Sequence, residues 1–273
     1  MEDEWGRRAW DQLSRVRDRS PLIQCITNMV SMDLMANTLL ASGASPAMVH
    51  AAEEVGDFTP RVDALCVNVG TLSPEWLPSM KSAAEVAAGA GKPWVLDPVA
   101  VAASGFRMSA CRDLLGLAPA VVRGNASEII ALASSHSIGG PHKGTDSTHA
   151  SMDALEAAKT LARANRAIVA VSGAVDLITD GDRVVGAHNG VPMMQKITAT
   201  GCAVTALIAA FVAVDPSHAF EATASALAVF GLAGELGMET AKGPASLRMN
   251  LIDFLHGLDE SIVVSRVKIA PVP

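Results

Sequence analysis

The feature that most constrains this chain is a rhythm. Short runs of four to six residues, apolar at nearly every position, alternate with longer runs rich in alanine and leucine. The short runs are Leu22–Ile26, Ala64–Val69, Trp94–Asp97, Ala120–Arg123 and Ala167–Ser172. A strand that is apolar on both faces has no side for water, so it belongs in a parallel sheet covered on both sides. The longer runs fall between them: Ser31–Ser42, Pro74–Ala90, Ser109–Leu117, Ser127–Ser134 and Ser151–Asn165. They read as the covering helices. The alternation predicts an α/β fold with a central, mainly parallel sheet flanked by helices on both faces.

After Ser172 the rhythm changes. Asp176–Thr179 and Arg183–Ala187 flank an Asp180-Gly181-Asp182 turn, which reads as a hairpin. Met193–Ile197 is expected as a further strand. Cys202–Val214, His218–Met238 and Ala245–Gly257 read as helices, and Val263–Ile269 as a closing strand or extended arm. In the first twenty residues Trp10, Leu13 and Val16 recur at helical spacing opposite many charges, the mark of an amphipathic helix. Ser134–Ser151 reads as a long loop. No repeat or linker divides the chain, so residues 1–273 read as one domain.

Composition removes several function classes. Half of the 273 residues are hydrophobic, enough for a substantial core. The 21 basic and 28 acidic residues leave a net charge of −7, against the basic footprint of a nucleic-acid binder. Aromatics are 4% and tyrosine is absent, which leaves little for base stacking. The apolar run Cys202–Val214 is thirteen residues long, short of the ~18–20 needed to span a membrane. Glu2, Asp3, Glu4, Arg7 and Arg8 stand where a secretory signal would be apolar. Cys25, Cys66, Cys111 and Cys202 form no CxxC pair, which points to reduced thiols and a cytoplasmic protein. The histidines are scattered, and His136, His142 and His149 sit in a polar loop without zinc-ligand spacing.

In parallel α/β sheets ligands bind beyond the carboxyl ends of the strands. Polar residues collect there: Thr27-Asn28, Asn68 to Thr71, Asp97-Pro98, Arg123-Gly124-Asn125 with Glu128, and Ser172-Gly173. Asp97 and Glu128 on neighbouring strand ends could share Mg²⁺ with substrate phosphates. Equally, Glu128 could close a capping box on Asn125. Thr198-Ala199-Thr200-Gly201-Cys202 opens an apolar helix with small residues. It reads either as an anion hole or as an ordinary cap by Thr198 or Thr200. Cys202 at that helix start should have a lowered thiol pKa. With no histidine near it in sequence, a buried packing role is the better reading than covalent chemistry. No GxxxxGK[ST] or GxGxxG motif occurs.

These segments together resemble the hydroxyethylthiazole kinase family. The resemblance runs through Pro21–Asn28, Asn37–Met48, Asn68–Leu72, Asp97–Val99, Arg123–Ile129, Gly144–Ser147 and Thr198–Cys202, in order, from about Pro21 to Asn250. It implies a ribokinase-like fold and ATP-dependent phosphorylation of the hydroxyl of 4-methyl-5-(2-hydroxyethyl)thiazole, a step toward thiamine. It further implies Mg²⁺ and a homotrimer with active sites between subunits. By matching motif it assigns Met48, Ala199 and Asn28 to the thiazole and Arg123, Ser172 and Asn125 to ATP. Asp97 and Glu128 fall to the metal, and Cys202, Gly201 and Ala199 to the catalytic loop.

Four positions depart from the family pattern. Ala199 stands for the glycine of Thr-Gly-Thr-Gly-Cys, and Ala100 and Ala102 for two glycines after Asp97-Pro98-Val99. Alanine lacks glycine's freedom at positive φ, so an altered loop is expected. Ser172 replaces a threonine and keeps its hydroxyl. Two other readings stay open: a related enzyme on the same fold, such as a hydroxymethylpyrimidine kinase or an NAD(P)H-hydrate dehydratase, and a non-catalytic sensor.

Overall fold

In the computed structural model, which describes residues 2–134 and 154–272, the rhythm becomes one nine-stranded sheet. Its strands are β1 (Leu22–Ile26), β2 (Ser45–Ala47), β3 (Ala64–Asn68), β4 (Trp94–Asp97), β5 (Val121–Asn125), β6 (Ile168–Ser172), β7 (Asp176–Thr179), β8 (Val184–Ala187) and β9 (Ile269–Pro271). They lie in the order β2-β1-β3-β4-β5-β6-β7-β8-β9. Pairing is parallel from β2 to β6 and antiparallel from β6 to β9. The helices are α1 (Glu2–Arg19), α2 (Met32–Ser42), α3 (Ala52–Phe58), α4 (Trp76–Gly89), α5 (Gly105–Leu115), α6 (Ala126–Ala133), α7 (Leu155–Asn165), α8 (Thr200–Val214), α9 (Ala219–Thr240), α10 (Pro244–Gly257) and α11 (Glu260–Arg266).

The two-residue period of a strand sorts side chains onto two cores. Ile23, Cys25, Ala64, Cys66 and Val95 face the core built with α1, α2, α8, α9 and α10. Ile26, Leu65, Val67, Trp94 and Leu96 face the core built with α4 to α7. Trp94 and Phe211 are the largest fully buried side chains, one in each. The stretch Pro216–Thr240 is long and apolar enough to cross a membrane, yet most of it is buried within the protein. A helix apolar all round is what burial on all sides requires.

Several sequence expectations need correction. Met193–Ile197 is no strand: Pro192–Lys196 forms a 3₁₀ turn with Pro192 at its start. Met194 there is wedged onto α9, so close that a Cβ at Gly234 would lie 2.4 Å from its sulfur. Val263–Ile269 splits into α11, capped by Asp259 accepting from the Ile262 N–H, and the edge strand β9. Helix α5 begins at Gly105 because Ser104 caps it, accepting from the Arg107 N–H at 3.2 Å. The short elements β2 and α3 carry too little periodicity to be read from sequence. Of the loop expected over Ser134–Ser151, the part from residue 135 on, with His136, His142 and His149, lies outside the described residues, as does the start expected for the helix at Ser151.

Candidate active site

Because β1, β3, β4, β5 and β6 run parallel, their carboxyl ends share one edge. The side chains there form a chain of hydrogen bonds. Asn28 Nδ2 donates to Asn68 Oδ1 at 2.8 Å and to Cys202 Sγ at 3.4 Å. Asn68 Nδ2 donates to Asp97 Oδ2 at 2.7 Å. Thr205 Oγ1, one turn into α8, donates to the same oxygen at 2.9 Å. The structure thus brings Asn28, Asp97 and Cys202 together, and adds Asn68 and Thr205. Thr205 shares a helix face with Gly201, but only the fold shows that this face meets β4.

Asp97 is fully buried, and its second oxygen, Oδ1, has no partner. Burial pushes its pKa up to about 7; the Arg123 charge opposes this and Glu128 reinforces it. The thiol of Cys202 departs from expectation. Burial and the neighbouring Asp97 raise its pKa, and the Asn28 hydrogen bond and Arg123 do not offset them. At neutral pH Cys202 is a protonated thiol, and the helix-start argument loses to desolvation.

The start of α8 is left open. Its N-cap is Ala199, in the left-handed region at φ 68°, with no side-chain cap bond. The Thr200 hydroxyl points back, donating to the carbonyls of Met194 and Ile197. So neither threonine caps this helix. Arg123 lies against its first turn: a Cβ at Gly201 would come within 2.7 Å of Nη1. Gly201 is therefore required by the close approach of the guanidinium. Arg123 Nη2 donates to Ser172 Oγ, while its Nε is buried without a partner. A guanidinium and an uncapped helix start converge, and among the described residues no carboxylate hydrogen-bonds to either.

The Asn125–Glu128 pair is a complete capping box on α6, as one of the two readings held. Glu128 does more: Oε2 accepts from the Asn125 N–H and Oε1 from the Ala100 N–H, both at 2.8 Å. It ties the turn after β4 to the start of α6. Ala100 is also left-handed, at φ 54°. Two of the three glycine-to-alanine departures thus keep a glycine-like backbone, at a cost of roughly 1–2 kcal/mol each.

A cavity of about 220 Å³ opens beside Arg123 and Gly201, lined on its apolar part by Val191, Met194, Leu227 and Phe230. Asp176 also lines it; sequence gave no sign of this, since Asp176 reads as the first residue of a hairpin. Its Oδ1 accepts from the Gly173 N–H, and burial pushes its pKa up to about 6. Met48, half-buried just past β2, packs against the apolar core and makes no hydrogen bond to the Asn28 chain.

Comparisons with known proteins place the fold within a family. The profile of the hydroxyethylthiazole kinase family matches residues 13–261. A hydroxyethylthiazole kinase from Zea mays is 68% identical over 267 residues, covering 97% of this chain and 94% of its own. The solved structure of a hydroxyethylthiazole kinase from Pyrococcus horikoshii superposes with a TM-score of 0.89 at 39% identity, covering 97% and 99% of the two chains. A ribokinase-like superfamily protein from Enterococcus faecalis, 13% identical and covering 86% of each chain, gives a TM-score of 0.59 and supports the fold alone. With the profile spanning most of its length, this chain belongs to the hydroxyethylthiazole kinase family.

Proposed function

We propose that this chain transfers the γ-phosphoryl group of ATP to the primary hydroxyl of 4-methyl-5-(2-hydroxyethyl)thiazole, salvaging the thiazole for thiamine. Beyond family membership, the observation that carries this reading is the uncapped start of α8 beneath the Arg123 guanidinium. Such a start presents free N–H groups and the positive end of the helix dipole, and a guanidinium fork suits phosphate oxygens. Phosphoryl transfer asks mainly for positioning and charge neutralisation, which this arrangement supplies.

In this reading Arg123, Ser172 and the exposed Asn125 meet the phosphates of ATP, and the base enters the apolar cavity. Asn28, Met48 and Ala199 border the thiazole. Its hydroxyl oxygen bonds the γ-phosphorus while the bond to the ADP oxygen breaks. The N–H groups of Thr200, Gly201 and Cys202 stabilise the transferring group. Cys202 stays a neutral thiol in the catalytic loop, so the hydroxyl proton passes to water or to an oxygen of the transferred phosphoryl group rather than to a thiolate. A loose transition state needs little base assistance.

Mg²⁺ fits the residues present. Among the described residues no cluster of three or more His, Cys, Asp or Glu could hold a metal alone. Mg²⁺ instead takes one or two carboxylates together with phosphates and water. The buried oxygen of Asp97 that has no hydrogen-bond partner is free to ligate a cation, and Glu128 stands at the next strand end. Bound there, the ion would neutralise phosphate charge.

A homotrimer accounts for Met29, Val30, Leu40 and Met249, large apolar side chains that are each more than half exposed, the first two directly after Asn28. The four unpaired cysteines suit the cytoplasm, and residues 1–273 act as one domain. The test is ADP release from Mg-ATP by purified protein, with hydroxyethylthiazole, with hydroxymethylpyrimidine, and with neither. ADP only with the thiazole is the expected result. Thiazole binding by calorimetry without ADP would instead favour a sensor.

A further inference from the structure

Parallel strands bond in alternation. A residue sends its N–H to one carbonyl of its neighbour and takes an N–H from two residues further along that neighbour. Between β3 and β4 the Leu65 N–H goes to Pro93 O and the Val69 N–H to Asp97 O at 3.2 Å. The next rung would run from the Val99 N–H to Val69 O. It is absent, because Pro98 turns the chain out of the sheet, closing a turn in which the Val101 N–H bonds Pro98 O at 3.0 Å.

The half-buried Arg107, in the first turn of α5, stands in that gap. Its Nη1 donates to Val69 O and, at 3.2 Å, to Val99 O. Its Nη2 donates to Gly70 O. One planar fork therefore stitches the two strand exits together beyond the last ladder bond. Those exits carry the site. Asn68 and Asp97 end the two strands, and Gly70 lies so close to Asn28 that a Cβ there would sit 2.7 Å from Asn28 Cβ. Glu128 holds the same Val99–Ala100 turn from the β5 side.

We propose that Arg107 is a positioning residue: its guanidinium replaces the missing rung between β3 and β4 and so fixes where Asp97 and Asn28 sit. Its guanidinium hydrogen bonds all go to the chain's own carbonyls. A lysine has charge and reach but a single compact head, and cannot span three carbonyls.

The activity arm of the test rests on the kinase reading; the exchange arm does not. Arg107→Lys and Arg107→Gln are compared with the unaltered chain by hydrogen–deuterium exchange and by kinetics across a Mg²⁺ titration. The expected result is faster exchange confined to residues 69–71 and 99–101, about a tenfold lower kcat, and a higher Mg²⁺ requirement. KM for the thiazole should change less than about threefold, with Tm of the lysine variant near that of the unaltered chain. Unchanged exchange in both segments overturns the proposal. So does exchange that rises evenly along the chain while kcat falls only with the folded fraction. If the unaltered chain makes no thiazole-dependent ADP, the kinase reading fails and the exchange pattern alone decides on Arg107.

Discussion

Two helix starts on the same sheet edge are built in opposite ways. Helix α6 closes on itself: Asn125 Oδ1 accepts from the Glu128 N–H at 2.9 Å, and Glu128 answers the Asn125 N–H. Helix α8 starts at a left-handed alanine, carries no side-chain cap, and has a guanidinium pressed on its first turn. Capping is worth about 1 kcal/mol, so leaving α8 open costs stability that a bound anion would restore. The difference teaches where to look for the ligand: at the start the chain leaves unsatisfied.

The strongest way to break the comparison is Arg123→Gln. Two charge-assisted hydrogen bonds to phosphate, at roughly 1.5–3 kcal/mol each, put the expected loss in kcat/KM for ATP at about 10²–10⁴-fold. Thermal melting should barely move; a full-rate variant would mean that α8 needs no guanidinium. Asp97→Asn comes next, with turnover lost and stability gained at neutral pH. The sign follows from linkage. With its folded pKa raised to about 7, Asp97 holds a proton in the folded state that the unfolded chain releases near pH 4. Its contribution is therefore fully present below about pH 4 and is lost as pH rises to about 7. Melting curves from pH 4 to 8 should show this decline in the parent chain and a flatter profile in the variant.

Gly201→Ala sharpens the contrast. The added Cβ displaces Arg123, so activity should fall about tenfold, while the helix gains up to about 1 kcal/mol from losing a glycine. A rise in Tm with a fall in kcat separates ligand binding from helix stability. Asn125→Ala should do the reverse at α6, costing about 1 kcal/mol of stability with only a few-fold rise in KM for ATP. The smallest effect is expected for Ala199→Gly. Relief of left-handed strain, about 1 kcal/mol, is nearly offset by the ~0.5–1 kcal/mol that glycine loses in folding. Calorimetry should find the two proteins within about half a kcal/mol.

Much of this was legible in the chain. Strand periodicity placed β1 and β3 to β6 within a residue or two, because burial on both faces leaves no choice but apolar residues. The same order of strand ends brought out Asn28, Asp97, Arg123, Glu128 and Ser172. Met193–Ile197 misled because a short segment with apolar residues at both ends fits a strand or a wedge equally, and only α9 beside it decides. The Cys202 thiol misled because a helix start is local, whereas the burial that raises its pKa, and the Asp97 carboxyl beside it, come from segments far along the chain. Asp176, Thr205 and Arg107 gave no signal, since each acts through a partner distant in sequence.

The sequence by itself determined the layers, the parallel edge and the family, since these follow from local periodicity and from motifs kept in order. Tertiary structure alone decided which helix start stays open, which carboxylate keeps its proton, and which arginine replaces a lost rung. Those outcomes depend on desolvation and on hydrogen bonds between residues tens to hundreds of positions apart, and local pattern carries no record of either.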